Sequence, residues 1–159
     1  MNKLQTINNW LGEFEITTCN KKTGEIKGET VKNRITNVAL DKLAETLVGN
    51  AADLEIKYLA VGTSVSPLDD ADTQLGAEIF RTVPVSGPSR TETGQIETEF
   101  TILDGEAVGN IREVAIFCGS TASGTANTGT MLTRILWKKD KSATEEITFK
   151  RIDRIRRGA

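Results

Sequence analysis

Gln95-Ile96-Glu97-Thr98-Glu99-Phe100-Thr101-Ile102-Leu103 decides the fold class. Ile96, Thr98, Phe100 and Ile102 lie on one side of an extended chain, and Gln95, Glu97, Glu99 and Thr101 on the other. That period of two marks a strand with one face on a core and one in water. The same pattern recurs outward from it. Trp10 to Thr17 alternates with Trp10, Phe14 and Ile16 on one face. Asn20 to Gly24 is a turn cluster and Glu25 to Val31 reads as the return strand. Glu55 to Val61 is a largely apolar strand ending at Gly62, and Ile79 to Ser86 is a strand whose Pro84 places it at an edge or bulge. Gly87 to Gly94 reads as a polar hairpin tip. Ile111 to Cys118, Thr130 to Trp137 and Glu145 to Ile152 complete the set, with a small, polar, flexible loop over 119–129. Thr73 to Glu78 is expected to form a helical turn.

One segment breaks the pattern. In residues 36–48, Leu40, Leu43, Ala44 and Leu47 recur at helical spacing, Thr36 or Asn37 suits the N-cap, and Gly49 stands where a C-terminal glycine belongs. About eight strands and one helix, without β-α-β alternation, predict a mainly β chain: an antiparallel β-sandwich with the helix over an end or open edge.

The 159 residues suffice for one core, and 38% apolar with 26% charged residues is ordinary globular composition. The opening MNKLQTINNW lacks the apolar stretch of a secretory signal, and no apolar run reaches bilayer length. Cys19 and Cys118, far apart and without metal-ligand spacing, read as reduced thiols of a cytosolic product. The net charge of −2 is unevenly spread. Lys150, Arg151, Arg154, Arg156 and Arg157 face one acid, Asp153, in the last ten residues, so the rest of the chain is acidic.

Catalytic chemistry finds little to work with. The chain has no histidine, and no phosphate loop, nucleophile elbow or dinucleotide fingerprint occurs. Asp69, Asp70 and Asp72 lack the spacing of a calcium loop and read as a solvated surface. The expectation is therefore a protein that is not an enzyme and has no catalytic residue, cofactor or metal. The charged residues inside apolar strands are read structurally instead. Arg112 and Glu113 point to opposite faces of one strand, so one of them sits among apolar neighbours and needs a counter-charge. Glu78 and Arg81 are the available partners, which predicts a Glu113–Arg81 or Arg112–Glu78 ion pair linking two strands.

Four phrases carry a further reading: Arg34-Ile35-Thr36-Asn37-Val38-Ala39-Leu40-Asp41-Lys42-Leu43, Tyr58-Leu59-Ala60-Val61-Gly62-Thr63, Thr73-Gln74-Leu75-Gly76-Ala77-Glu78-Ile79-Phe80-Arg81, and Gly109-Asn110-Ile111-Arg112-Glu113-Val114-Ala115-Ile116-Phe117. In this order they resemble the tail-collar fibre family of tailed bacteriophages, whose domains read roughly ITN-x-GL-x-x-LA, AVG, L-x-x-E-x-x-R and IREVGLF. Residues 33 to 137 are covered. The fourth phrase has Val114-Ala115-Ile116-Phe117 where the family tends to have glycine before the last two residues. The resemblance implies a structural part of a virion, made in the host bacterial cytoplasm, at the tail, collar or baseplate. A stand-alone chain of this kind suits a head-decorating role equally.

On this reading residues 1–32 form an N-terminal hairpin arm, 33–148 the sandwich, and 149–159 a basic C-terminal tail. Arm and tail are expected to bind other virion proteins or further copies of the chain, through Trp10 and Phe14 in the arm and Phe149, Arg151, Ile152, Arg154, Ile155, Arg156 and Arg157 in the tail. In the tail, apolar anchors recur at every third position between arginines that pair with carboxylates. Nucleic acid is the weaker partner, because the acidic body opposes it and aromatic interleaving is absent. Trp10 and Trp137 leave a carbohydrate-binding module as a rival, if either is exposed on a concave surface. Their alternation with apolar residues favours the core.

Overall fold

A computed structural model describes residues 10–50 and 53–157. Nine strands and one helix are present among them: β1 (Trp10–Asn20), β2 (Ile26–Asn33), α1 (Asn37–Leu47), β3 (Ile56–Gly62), β4 (Glu78–Thr82), β5 (Ser86–Glu92), β6 (Gln95–Ile102), β7 (Gly109–Cys118), β8 (Thr130–Lys141) and β9 (Glu145–Ile155). They form two antiparallel sheets, ordered β2-β1-β9-β6-β5 and β4-β3-β7-β8. The β-sandwich expected from the alternation is what is found.

Its core is the product of that alternation. Phe14 and Ile16 of β1, Phe100 and Ile102 of β6, and Ile147 and Phe149 of β9 meet Leu59, Val61, Val114, Ile116 and Ile135 of the facing sheet, all buried. Each such side chain contributes ~1.5–3 kcal/mol on removal from water. Phe149 lies edge-on to Phe14 and Trp137, with ring centroids 6.4 and 5.4 Å away, the arrangement that suits aromatic quadrupoles.

The arm and the tail are corrected by the pairing. β1 and β9 run antiparallel from Trp10↔Ile155 to Asn20↔Glu145, and β9 is flanked on its other side by β6. Residues 149–155 of the supposed tail thus belong to the central strand of its sheet, and β1 and β2 of the supposed arm lie beside it; residues 1–9 of the arm and 158–159 of the tail lie outside the described residues. Phe14, Phe149, Arg151 and Ile152 are buried inside the domain and are not available to a partner, and Trp10 is buried at its rim, at the apolar end between the two sheets. The reason is backbone hydrogen bonding: strands far apart in sequence satisfy each other's N–H and C=O groups, which local periodicity does not announce. Arg154 is half-buried against Glu13, and only Ile155, Arg156 and Arg157 of the set stay exposed.

Two further expectations shift. The chain over 79–94 is two strands in different sheets: Val83-Pro84-Val85 carries it across the side of the sandwich, and the tip shrinks to the turn at Thr93-Gly94. Thr73 to Ala77 forms no helical turn, because the N–H groups of Gly76 and Ala77 bond to a side chain instead. The helix is where the spacing placed it. Thr36 caps it, its hydroxyl accepting from Ala39 N at 3.2 Å, and Gly49 follows with φ of 93°. Its buried contact is Ala39, however. Leu43 is partly buried, and Leu47 projects into solvent with 82% exposure.

Candidate functional site

The outer face of the four-stranded sheet carries the chain's charged phrases. A second apolar cluster, Ala60, Leu75, Ala115, Phe117 and Met131 with Tyr58 packed against it, lies there under the loops 63–77 and 119–129. Glu113 projects from β7 onto this face and is 0% exposed. Burying a carboxylate costs several kcal/mol unless it is fully bonded, and here it is. Its oxygens accept from the backbone N–H groups of Ser64 (3.2 Å), Gly76 (3.0 Å) and Ala77 (2.9 Å), and from Arg134 Nε of β8 at 2.9 Å. Arg134 donates further to Asp72 Oδ2 (3.1 Å) and to the carbonyls of Pro67 (3.2 Å) and Ser66 (3.0 Å). The loop 63–77 is therefore folded around one ion pair.

Gly62, where β3 ends, makes this approach possible. A Cβ there would sit 2.6 Å from the carbonyl oxygen of Ala77 and closer still to the Glu113 carboxylate. The glycine that ends the second phrase is required by the glutamate of the fourth and the alanine of the third.

Glu78 and Arg81 form a second buried pair, with 2% and 4% of their side chains exposed. The guanidinium lies 4.6 Å from the Phe117 ring centroid and 5.3 Å from that of Tyr58, within cation–π range. It donates to the carbonyls of Ser123 (2.9 Å) and Thr128 (3.1 Å), while Glu78 accepts from Asn127 N at 2.8 Å. The loop over 119–129, read as flexible, is pinned by this pair. It is held at its start as well: Asp53 accepts from the hydroxyl and backbone N–H of Ser120 at 2.8 and 2.7 Å, which hold its carboxyl below the usual carboxylate range.

The expected pairings are thus corrected. Glu113 takes Arg134 and not Arg81; Arg112 takes Asp140 at 2.7 Å and not Glu78; Glu78 and Arg81 take each other. The demand for a counter-charge at β7 was physical and is met by a bond between strands, but its partner came from β8. Arg134 was missed. The available signal was an arginine inside the largely apolar run Met131 to Trp137.

A third charged group lies in the core of the other sheet. Arg151, 0% exposed, donates to Asp153 Oδ2 at 3.0 Å and to Asn33 Oδ1 at 2.6 Å, and sits 5.0 Å from the Phe14 ring centroid. Trp10 Nε1 donates to Asp153 at 3.0 Å, and Trp137 Nε1 to Glu29 at 2.5 Å. Both tryptophans are buried and bonded: Trp137 packs inside the core, and Trp10 lies edge-in at the apolar end between the sheets.

Chemically, these groups hold segments in place. The Glu113 carboxylate has no exposed edge for proton transfer; the Glu78–Arg81 pair is completed by loop backbone, and the Arg151–Asp153 pair by the side chains of Asn33 and Trp10. In the acidic loop, Asp69 Oδ1 accepts from Ala71 N and Asp72 Oδ2 from Asp69 N and Arg134. Among the described residues no group of three side chains converges as a metal cage, and no helix is long and apolar enough to cross a membrane. Comparison of the chain with protein-family models, curated proteins and solved structures finds no match.

Proposed function

We propose that this chain is a non-enzymatic structural component of a tailed-phage or prophage-derived particle, docking to neighbouring subunits at the tail, collar or baseplate. One observation carries the reading: the four phrases that resemble tail-collar fibre domains meet in space as one interdependent unit. Thr36 of the first phrase donates to Met131 O at 2.6 Å and Asn37 N to Asp70 O at 2.8 Å, which ties the helix entry to the 63–77 loop. That loop closes on Glu113 of the fourth phrase through Gly76 and Ala77 of the third, over Gly62 of the second. Phrases that build one lock support a shared architecture better than four separate coincidences do. Buried, saturated charge is also what a rigid assembly part requires, since it spends its polar groups on shape.

The test is co-purification. Antibody raised against the chain is applied to particles released from the encoding phage or prophage, banded on a caesium chloride gradient and washed at high salt. The reading expects the chain to stay with the particle band, and gold-labelled antibody to mark the tail, collar or baseplate. Label on the head would move the part to a capsid role. Chain found only in the soluble fraction would refute a virion role.

A further inference from the structure

Among the described residues, the end of the sandwich where β1 begins and β9 ends is open between the two sheets. An apolar mouth of about 400 Å3 lies there, walled by Trp10, Leu43, Leu54, Ile56, Leu132 and Ile155. Arg90 also lines it, and the chain leaves it through Arg156 and Arg157. All three arginines are exposed, and none has an ion-pair partner among the described residues. Such a mouth selects an occupant with an apolar anchor flanked by carboxylates.

The chain itself presents one. On the loop 63–77, Val65 and Leu68 are 71% and 52% exposed, and the exposed Asp69 and Asp70 follow directly. The loop is already rigid. Its backbone is fixed on Glu113 and Arg134, and Asp69 and Asp72 brace its turn. Little ordering cost therefore remains for binding. Among the described residues the Asp70 carboxylate meets only the exposed Arg34, at 3.6 Å, a weak surface pair that can exchange partners. The cleft beside this loop shares no lining residue with the mouth, so loop and mouth are two separate surfaces.

We infer that the Val65–Asp70 loop of one copy docks into the mouth of a second copy. Val65 and Leu68 enter the apolar cavity, and Asp69 and Asp70 meet Arg90, Arg156 and Arg157. The contact joins unlike surfaces, so it is either exchanged reciprocally in a two-fold dimer or repeated head to tail in a ring or filament. Nucleic acid is the rival for the arginines, but the apolar walls disfavour a polyphosphate; the mouth's own carboxylates, Glu55 and Asp153, are paired with Lys57 and Arg151 and so leave the arginines to the incoming acids. This self-association does not depend on the virion reading and can fail without it.

Light scattering and sedimentation of the full chain over a wide concentration range test the inference with two variants. Arg156→Glu/Arg157→Glu disables the mouth, and Leu68→Ser/Asp70→Lys disables the loop. All four residues are exposed, and thermal melting checks that each variant folds. The wild type is expected to self-associate, and either variant alone to weaken association at least about tenfold. Their mixture is expected to stop at a one-to-one dimer, because one intact loop still meets one intact mouth. A wild type that stays monomeric, variants that assemble unchanged, or a mixture that assembles no further than its parts would overturn it. A labelled single-stranded oligonucleotide bound through Arg156 and Arg157 by a monomeric wild type would assign the arginines to nucleic acid instead.

Discussion

Replacing Glu113 with alanine is the sharpest perturbation of the site. It removes a fully buried carboxylate and leaves Arg134, 3% exposed, beside the gap. Breaking a buried pair costs ~3–5 kcal/mol, because the surviving charge is stranded. Arg134 is not wholly stranded, since Asp72 and the carbonyls of Ser66 and Pro67 remain at 3.0–3.2 Å. Three backbone N–H groups, of Ser64, Gly76 and Ala77, also lose their acceptor. Each would cost ~1–3 kcal/mol if it stayed dry. The loop instead lifts and lets water in, so these costs overlap and do not add. The net expectation is a loss of ~3–5 kcal/mol, or roughly 6–20 °C in melting midpoint for a domain of this size. Glu113→Gln keeps the volume but turns an NH2 group toward donors, and should fall between. Circular-dichroism melts measure the loss, and limited proteolysis should place new cleavage within 63–77. A double-mutant cycle with Arg134→Met reads the pair's coupling. An alanine variant melting within about 3 °C of the parent, with the loop still resistant, would refute the claim that this carboxylate organises the face.

Arg151→Met should destabilise by ~3–5 kcal/mol, by stranding Asp153 and removing the bond to Asn33; the double variant Arg151→Met/Asp153→Leu should recover much of this in urea denaturation, since two apolar side chains leave no buried charge. Stability should fall as pH drops below about 4. Asp53 and Asp140 have carboxyls lowered by Ser120 and by Arg112 respectively, so their contribution is present above the unfolded carboxylate range and is lost as pH falls through the depressed values. Asp140→Asn should flatten that acid limb in urea melts taken across pH, and an unchanged slope would count against it. Cys118, buried with its thiol pushed up to about 12 by desolvation, should resist a thiol reagent at neutral pH until the protein unfolds, while the partly exposed Cys19 reacts in the native state. Two thiols titrating at once in native protein would contradict that burial.

Much of the fold was legible from residues alone, and the reason is local. Alternation in Gln95 to Leu103 and in Trp10 to Thr17 follows from the two-residue repeat of an extended chain, and Thr36 and Gly49 mark helix ends by their own backbone and side-chain chemistry. The need for a counter-charge near Glu113 was likewise local, since an acid in an apolar strand has to be neutralised. Partners are not local. Which arginine reaches Glu113 depends on β8 pairing with β7 at Ala115↔Arg134, and whether residues 149–155 are a tail or a central strand depends on β1 and β6 lying on either side of β9. Apolar residues at every third position between basic ones look like an interaction stripe in one dimension. In three, the Arg151 guanidinium lies in the core against Phe14 and Asp153, because only a completed sheet provides the bonds that make burying it affordable. The sequence by itself determined most of the strands, the helix and the need for pairing. Only tertiary structure decided who pairs with whom, because those contacts join residues that chain distance keeps apart.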